Sequence, residues 1–213
     1  MHSKAVLFDF DGTLADTAAD LGAALNRMRR ERGLAELPLA QFRPWASAGA
    51  RGLLLAGFDL KPEHPDYAAM RETFLAYYGE APCEQTSLFP GMDALLHALE
   101  ARGLPWGIVT NKSTRFTYEI VRSLGLDQRV SCVVCGDTTP HLKPHPASLL
   151  RASETLAIAP AQCIYLGDDL RDIQAARSAG MRAIAVEWGY GGDAHGWNAD
   201  AVIAAPQHLI EWL

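Results

Sequence analysis

The sequence predicts an α/β protein: a parallel sheet covered by helices on both faces, with an all-helical segment inserted after the first strand. Three observations carry this. Short apolar, β-rich runs alternate with helical patterns along most of the chain. The runs are continuous rather than alternating in polarity, as strands buried on both faces require. From about residue 17 to residue 84 the patterns are helical only.

In chain order, Lys4 to Asp9 is the first strand, an apolar run that stops at acidic residues and Gly12. The insert follows, with helical stretches at Ala18–Arg32, Gln41–Gly57 and Tyr67–Tyr78. In the first of these Leu21, Leu25 and Met28 form an apolar stripe, with Arg27, Arg29, Arg30 and Glu31 on the opposite side. An insert at this point reads as a long crossover or as a cap over the C-terminal edge of the sheet, where open α/β sheets bind ligands. Strands then recur at Pro105–Thr110, Ser131–Cys135, Cys163–Gly167 and Arg182–Val186. Helices are expected at Met92–Ala101, Arg115–Leu124, Ala147–Leu156 and Leu170–Ala179, with Gly103, Gly125 and Gly180 just past three of them as C-caps. The division is therefore a core of residues 1–16 and 85–213 and a cap of residues 17–84.

Composition narrows the function. The chain has 213 residues, 49% hydrophobic and 21% charged, enough for a sizeable core. A formal charge of −6 gives no footprint for nucleic acid or an anionic membrane. No apolar run approaches the roughly 20 residues of a membrane helix, and the run Ala5–Phe8 leads into Asp9 and Asp11 without a cleavage site, so the expectation is a cytoplasmic chain. Cys132 and Cys135 have the spacing of a zinc or redox pair, but residues three apart on a strand point to opposite faces and no second ligand pair follows. Buried reduced thiols are expected.

The chemistry lies where the strands end. The first ends Asp9-Phe-Asp11-Gly12-Thr13-Leu-Ala-Asp16, the second Thr110-Asn111-Lys112; a loop carries Lys143-Pro144, and a fourth strand ends Gly167-Asp168-Asp169-Leu-Arg-Asp172. In a parallel sheet these ends gather on one edge, bringing up to six carboxylates, two lysines and a threonine hydroxyl to one crevice. Two like charges ~4 Å apart repel by about 4 kcal/mol at an effective dielectric of 20, so such a cluster requires a cation. Oxygen ligands favour a hard one such as Mg²⁺, with a substrate phosphate completing the coordination. Setting the six acids aside leaves acids and bases in balance, so the rest of the surface need not be acidic.

Asp9-x-Asp11-Gly12-Thr13-x-x-Asp16 resembles the first motif of the haloacid dehalogenase-like (HAD) superfamily. Five specified positions match by chance in about one such chain in ten thousand. Thr110, Lys143 before Pro144, and Gly167-Asp168-x-x-x-Asp172 follow in the order of the other three motifs, and the resemblance covers the whole chain. It implies a Rossmann-like, HAD-like core. Asp9 is then the nucleophile that forms an aspartyl-phosphate, and Asp11 the general acid and later base. The resemblance further implies Mg²⁺ held by Asp9, the backbone carbonyl of Asp11, and Asp168, with Asp169 and Asp172 orienting ligands and metal waters from behind. Gly12, Thr110, Asn111 and Lys143 would hold the phosphate, Lys143 also neutralising Asp9. An acid at position 11 points to phosphomonoester hydrolysis or phosphosugar mutation rather than dehalogenation.

The insert is similar to the cap of the phosphoglycolate phosphatase and β-phosphoglucomutase branch. Phe89-Pro-Gly-Met92, Val109-Thr-Asn-Lys112 with Phe116, Lys143-Pro-His-Pro146 and Tyr190 resemble the phosphatase group. Ser47-Ala-Gly-Ala-Arg51, Gly167-Asp-Asp-Leu-Arg-Asp172 and Trp197-Asn-Ala-Asp200 resemble N-acetylmuramic acid 6-phosphate phosphatases. The expected partner is therefore a small phosphomonoester that also carries a carboxylate. Arg51, in a cap turn with Gly49 and Gly52, is the first choice to read that carboxylate, and Arg115 the second. His141, His145 and Trp188 are further candidates for the crevice, and Arg171 for bracing the aspartates. The alternatives are a phosphosugar mutase and a non-catalytic phosphate-binding protein; monomer and homodimer stay open.

Overall fold

Residues 3–213 are described by a computed structural model; residues 1 and 2 of the expected core segment 1–16 lie outside them. Six parallel strands form the main sheet: β1 (Ala5–Phe8), β4 (Trp106–Val109), β5 (Cys132–Val134), β6 (Cys163–Gly167), β7 (Arg182–Val186) and β8 (Ala201–Ile203). Their order is β5-β4-β1-β6-β7-β8. β1 is central, with Phe8 beside Ile108 on one flank and Leu166 on the other. All four of its residues are fully buried: Val6 and Phe8 join the core on one face, Ala5 and Leu7 that on the other. That two-sided burial is why the run is continuously apolar, each such Val, Leu or Phe contributing about 1.5–3 kcal/mol. The chain builds outward to β4 and β5 on one side of β1, then returns to β6 on the other, so the order reverses at the C-terminal end of β1.

Helices α5 (Met92–Ala101), α6 (Thr114–Ser123), α7 (Ala147–Leu156) and α8 (Leu170–Ser178) cover the sheet. Between β1 and β4 lie α1 (Ala18–Glu31), α2 (Leu39–Phe42), α3 (Gly49–Phe58) and α4 (Tyr67–Glu80). The first helix buries the expected stripe of Leu21, Leu25 and Met28. Leu53, Leu54 and Phe74 of the insert belong to the same apolar cluster as Val6 and Phe8, so the insert shares one core with the sheet.

Three features depart from the sequence reading. The helix expected over Gln41–Gly57 is broken: α2 passes into a 3₁₀ turn at Arg43–Ala48, with Pro44 at its start, and Gly49 at φ 57° ends that turn. Arg51 therefore stands in the first turn of α3, and Gly52 packs inside that helix against the Trp45 carbonyl rather than forming a turn. Two short strands, β2 (Ala15–Asp16) and β3 (Ser87–Leu88), pair antiparallel where the chain leaves for the insert and returns. Strand β8 is the third. Elements of two or three residues are too short to display a period. Among the described residues, no helix is long and apolar enough to cross a membrane.

Candidate active site

The loop after β1 places Asp9 at the reversal point of the sheet, its N–H donating to the Leu166 carbonyl at 2.8 Å. Lys143 comes to it from the loop before α7 and is itself buried. The Lys143 ammonium donates to Asp9 and to Asp172 Oδ1, each at 2.7 Å, to the Tyr165 hydroxyl at 2.8 Å and to the Val109 carbonyl at 3.1 Å. Asn111 sets the approach: its side-chain amide pairs with both the N–H and the carbonyl of Lys143. Thr110 is buried beside them, its hydroxyl accepting from the Lys112 N–H at 3.1 Å.

Asp11 is held from two sides. The Thr17 hydroxyl donates to it at 2.6 Å, and the Lys112 ammonium pairs with it at 2.8 Å. Asp168, after β6, accepts from the Thr13 hydroxyl at 3.1 Å, the Tyr190 N–H at 2.8 Å and the Ser47 hydroxyl at 3.2 Å. Gly12 makes this approach possible. Its φ is 92°, and a Cβ there would stand 2.3 Å from the Asp168 carboxylate.

Asp9, Asp168 and Asp172 are buried, with oxygens within 4.8 Å of one another. One ammonium, Lys143, sits among the three carboxylates, so the pocket floor lacks positive charge. Burial foremost, with the neighbouring carboxylates adding to it, pushes Asp9 well above the usual carboxylate range although Lys143 opposes the shift. Burial, then Asp172, pushes Asp168 up to about 7. Asp9 and Asp172, but not Asp168, border a cavity of about 540 Å³, walled on the insert side by Leu21, Arg51, Phe74 and Tyr78 among others, and on the core side by Thr110, Lys112 and Phe116.

A family model described as haloacid dehalogenase-like hydrolase matches residues 6–186, most of the chain. The chain belongs to that family. It is 44% identical over 215 aligned residues to a phosphoglycolate phosphatase of Xanthomonas campestris pv. campestris, covering 98% of this chain and 95% of the relative. It is 41% identical to an N-acetylmuramic acid 6-phosphate phosphatase of Pseudomonas aeruginosa, covering 100% and 96%. A solved Haemophilus somnus structure, described as a predicted phosphoglycolate phosphatase, superposes with a TM-score of 0.87 at 27% identity, covering 100% of this chain and 98% of that one. This haloacid dehalogenase-like hydrolase is an enzyme of the phosphatase class.

In this hydrolase the expected site residues are not all gathered. Asp9, Asp11, Thr110, Asn111, Lys143, Asp169 and Asp172 border the cavity, as do Gly49 and Arg51 of the insert. Asp169 is the N-cap of α8, in a capping box with Asp172, and its carboxylate is paired with Arg171 at 2.8 Å. Arg171 also donates to the Ser47 carbonyl at 3.0 Å, tying the aspartate loop to the insert. Asp16 does not join the acids: it pairs with Arg43 at 2.8 Å and accepts from the Tyr190 hydroxyl. Arg115 is exposed and does not border the cavity, because α6 turns Phe116 inward and leaves the Arg115 guanidinium outside, over that ring. His141 and His145 are exposed, their rings 4.4 Å apart, and Leu142 faces the cavity between them and Lys143. Trp188 is spent on the Thr13 carbonyl at 3.0 Å. Among the described residues, no cysteine belongs to a group of three possible metal ligands.

Sequence reasoning missed the Lys112–Asp11 pair, Tyr165 and the Ser47 contact. Lys112 stands next to Thr110 and Asn111, but a lysine at a strand end carries no signal of which carboxylate it meets.

Proposed function

We propose that this chain hydrolyses a sugar-sized phosphomonoester through an aspartyl-phosphate on Asp9, with residues 17–84 acting as the cap domain over a core of 1–16 and 85–213. The reading rests most on Asp9 standing at the floor of a 540 Å³ cavity with Lys143 at 2.7 Å and the Asp11–Lys112 pair in the same wall. An Asp9 carboxylate oxygen attacks phosphorus and the ester P–O bond breaks. The Asp11 carboxyl gives its proton to the departing alkoxide, then, as a carboxylate, takes a proton from water, whose oxygen displaces Asp9 and releases phosphate. Thr110, Lys143, and the backbone at Gly12 and Asn111 stabilise the phosphoryl oxygens.

The donor set fits a hard cation. Asp9, Asp168 and Asp172 offer only carboxylate oxygens, and the one ammonium among them pairs with Asp9 and Asp172, leaving Asp168 held by neutral donors alone. Mg²⁺ would be held by Asp9, Asp168 and the Asp11 carbonyl, with Asp169 and Asp172 behind them, and would supply charge neutralisation for the transferring phosphoryl group.

Cavity size supports the choice of substrate. Ligand pockets run from about 300 to 1,000 Å³, and 540 Å³ with an apolar insert wall suits a substituted sugar better than a two-carbon acid. N-acetylmuramic acid 6-phosphate is therefore favoured over 2-phosphoglycolate, the substrate named for the Xanthomonas relative. Arg51, exposed at the cavity with Gly49 beside it, is the cation for the substrate carboxylate. Phosphate release measured side by side on the two compounds tests this; a kcat/KM higher for 2-phosphoglycolate reverses the choice, and isomer formation from a hexose 1-phosphate without phosphate release replaces hydrolysis by mutation. Arg51→Ala should lower kcat/KM on the preferred carboxylated substrate about tenfold, the value of one charged hydrogen bond.

A further inference from the structure

Two buried side-chain polar atoms, among the described residues, have no hydrogen-bond partner: Tyr78 Oη and Ser148 Oγ. Of these residues only Tyr78 borders the substrate cavity. Its side of the cavity belongs to α4 of the insert, and the residue is 2% exposed. The ring is fixed by neighbours, stacked near Phe74 at 6.4 Å between centroids and tilted against Phe116 at 5.1 Å. The hydroxyl oxygen faces the Lys112 ammonium, but its proton has no acceptor.

The charge beside it is also informative. Lys112 Nζ lies 4.7 Å from the Tyr78 ring centroid and 2.8 Å from Asp11. An ammonium only donates, so it can satisfy the phenol oxygen but can never accept the phenol proton. A buried hydroxyl without an acceptor destabilises the free protein, and phenylalanine would fill the same space without that cost. The position therefore holds an unused donor, in the cavity, on the side of Asp11 rather than of Lys143.

We propose that Tyr78 is a specificity-determining residue whose hydroxyl donates to an acceptor oxygen on the substrate's leaving group. That oxygen is a carboxylate, carbonyl, hydroxyl or ether oxygen carried on the carbon skeleton, not on the phosphate, which Lys143 and Thr110 would hold. The inference rests on the phosphatase reading above and deepens it: the insert reads the leaving group by a buried tyrosine as well as by an exposed arginine. A site that expects such an oxygen discriminates against substrates lacking one, because its donor is then left unpaired.

The test compares wild type with Tyr78→Phe on N-acetylmuramic acid 6-phosphate and on phenyl phosphate, whose leaving group offers no oxygen beyond the ester. The ratio of kcat/KM between the two substrates should fall about tenfold in the variant, as for one lost hydrogen bond. A ratio within about twofold of wild type overturns the inference. If wild type releases no phosphate from the sugar phosphate, the substrate reading falls and takes the inference with it; an active wild type with an unaltered ratio removes the inference alone.

Discussion

Asp9 is the residue on which most of the chemistry converges, and its environment is built around one ammonium. Lys143 is shared by Asp9, Asp172 and Tyr165, so the proposed nucleophile is positioned by a group that is itself over-determined. Asparagine at position 9 keeps an oxygen for Lys143 and loses the nucleophile. Asp9→Asn should therefore retain the circular dichroism of wild type and lose turnover by more than about a thousandfold; substantial residual phosphate release would rule out the covalent route. The cysteines illustrate the opposite case of residues held inert by packing. Burial pushes the Cys132 thiol up to about 12 and Cys163 up to about 11, and Cys135 is buried too. Since the thiolate is the reactive form, groups with raised pKa values stay protonated and unreactive near about pH 8. Burial raises the Cys83 thiol as well, but it alone is half-buried rather than buried, so access should make it the only one of the four to react with a disulfide reagent in the native protein, with all four reacting after denaturation.

At the scale of elements, the joint between insert and sheet depends on α1. Asp20, buried in its first turn, accepts from the N–H groups of Gln85 and Thr86 and from the Thr86 hydroxyl, so one carboxylate anchors the returning chain just before β3. Asp20→Ala leaves the Thr86 donors buried and unpaired and should cost about 1–3 kcal/mol, read as a lower urea midpoint at unchanged slope. Nothing near Asp20 in sequence announces this, because its partners are 65 and 66 residues away. The long helices and strands were legible because their apolar periods extend over several turns or a full buried run. The break of Gln41–Gly57 was legible only in part: Pro44 signals a helix start as readily as a break, and the positive φ of Gly49 is a property of the folded chain. Likewise α6 was expected correctly, but its rotation, which decides that Phe116 and not Arg115 faces the cavity, follows from packing against the sheet and α4.

Across the whole molecule, charge and topology meet at one place. The acids that cluster in sequence at two strand ends separate in space into those with a cation of their own, Asp11 with Lys112, Asp16 with Arg43 and Asp169 with Arg171, and a buried group of three served by a single lysine. That deficit argues for a divalent cation on Asp9 and Asp168. Chelation with EDTA should abolish phosphate release reversibly, with Mg²⁺ restoring it better than Zn²⁺, since hard oxygen donors suit the harder ion. Activity that persists after exhaustive chelation would remove the metal from the mechanism. The sequence alone determined the α/β class, the central buried strand and the identity of the residues at its end, because local periodicity and motif spacing are properties of contiguous chain. Tertiary structure alone decided the size of the cavity, which acids share a single ammonium, and that Lys112 and Tyr78 meet beside Asp11. Those depend on contacts between segments far apart in the chain, whose distances and rotations no local pattern encodes.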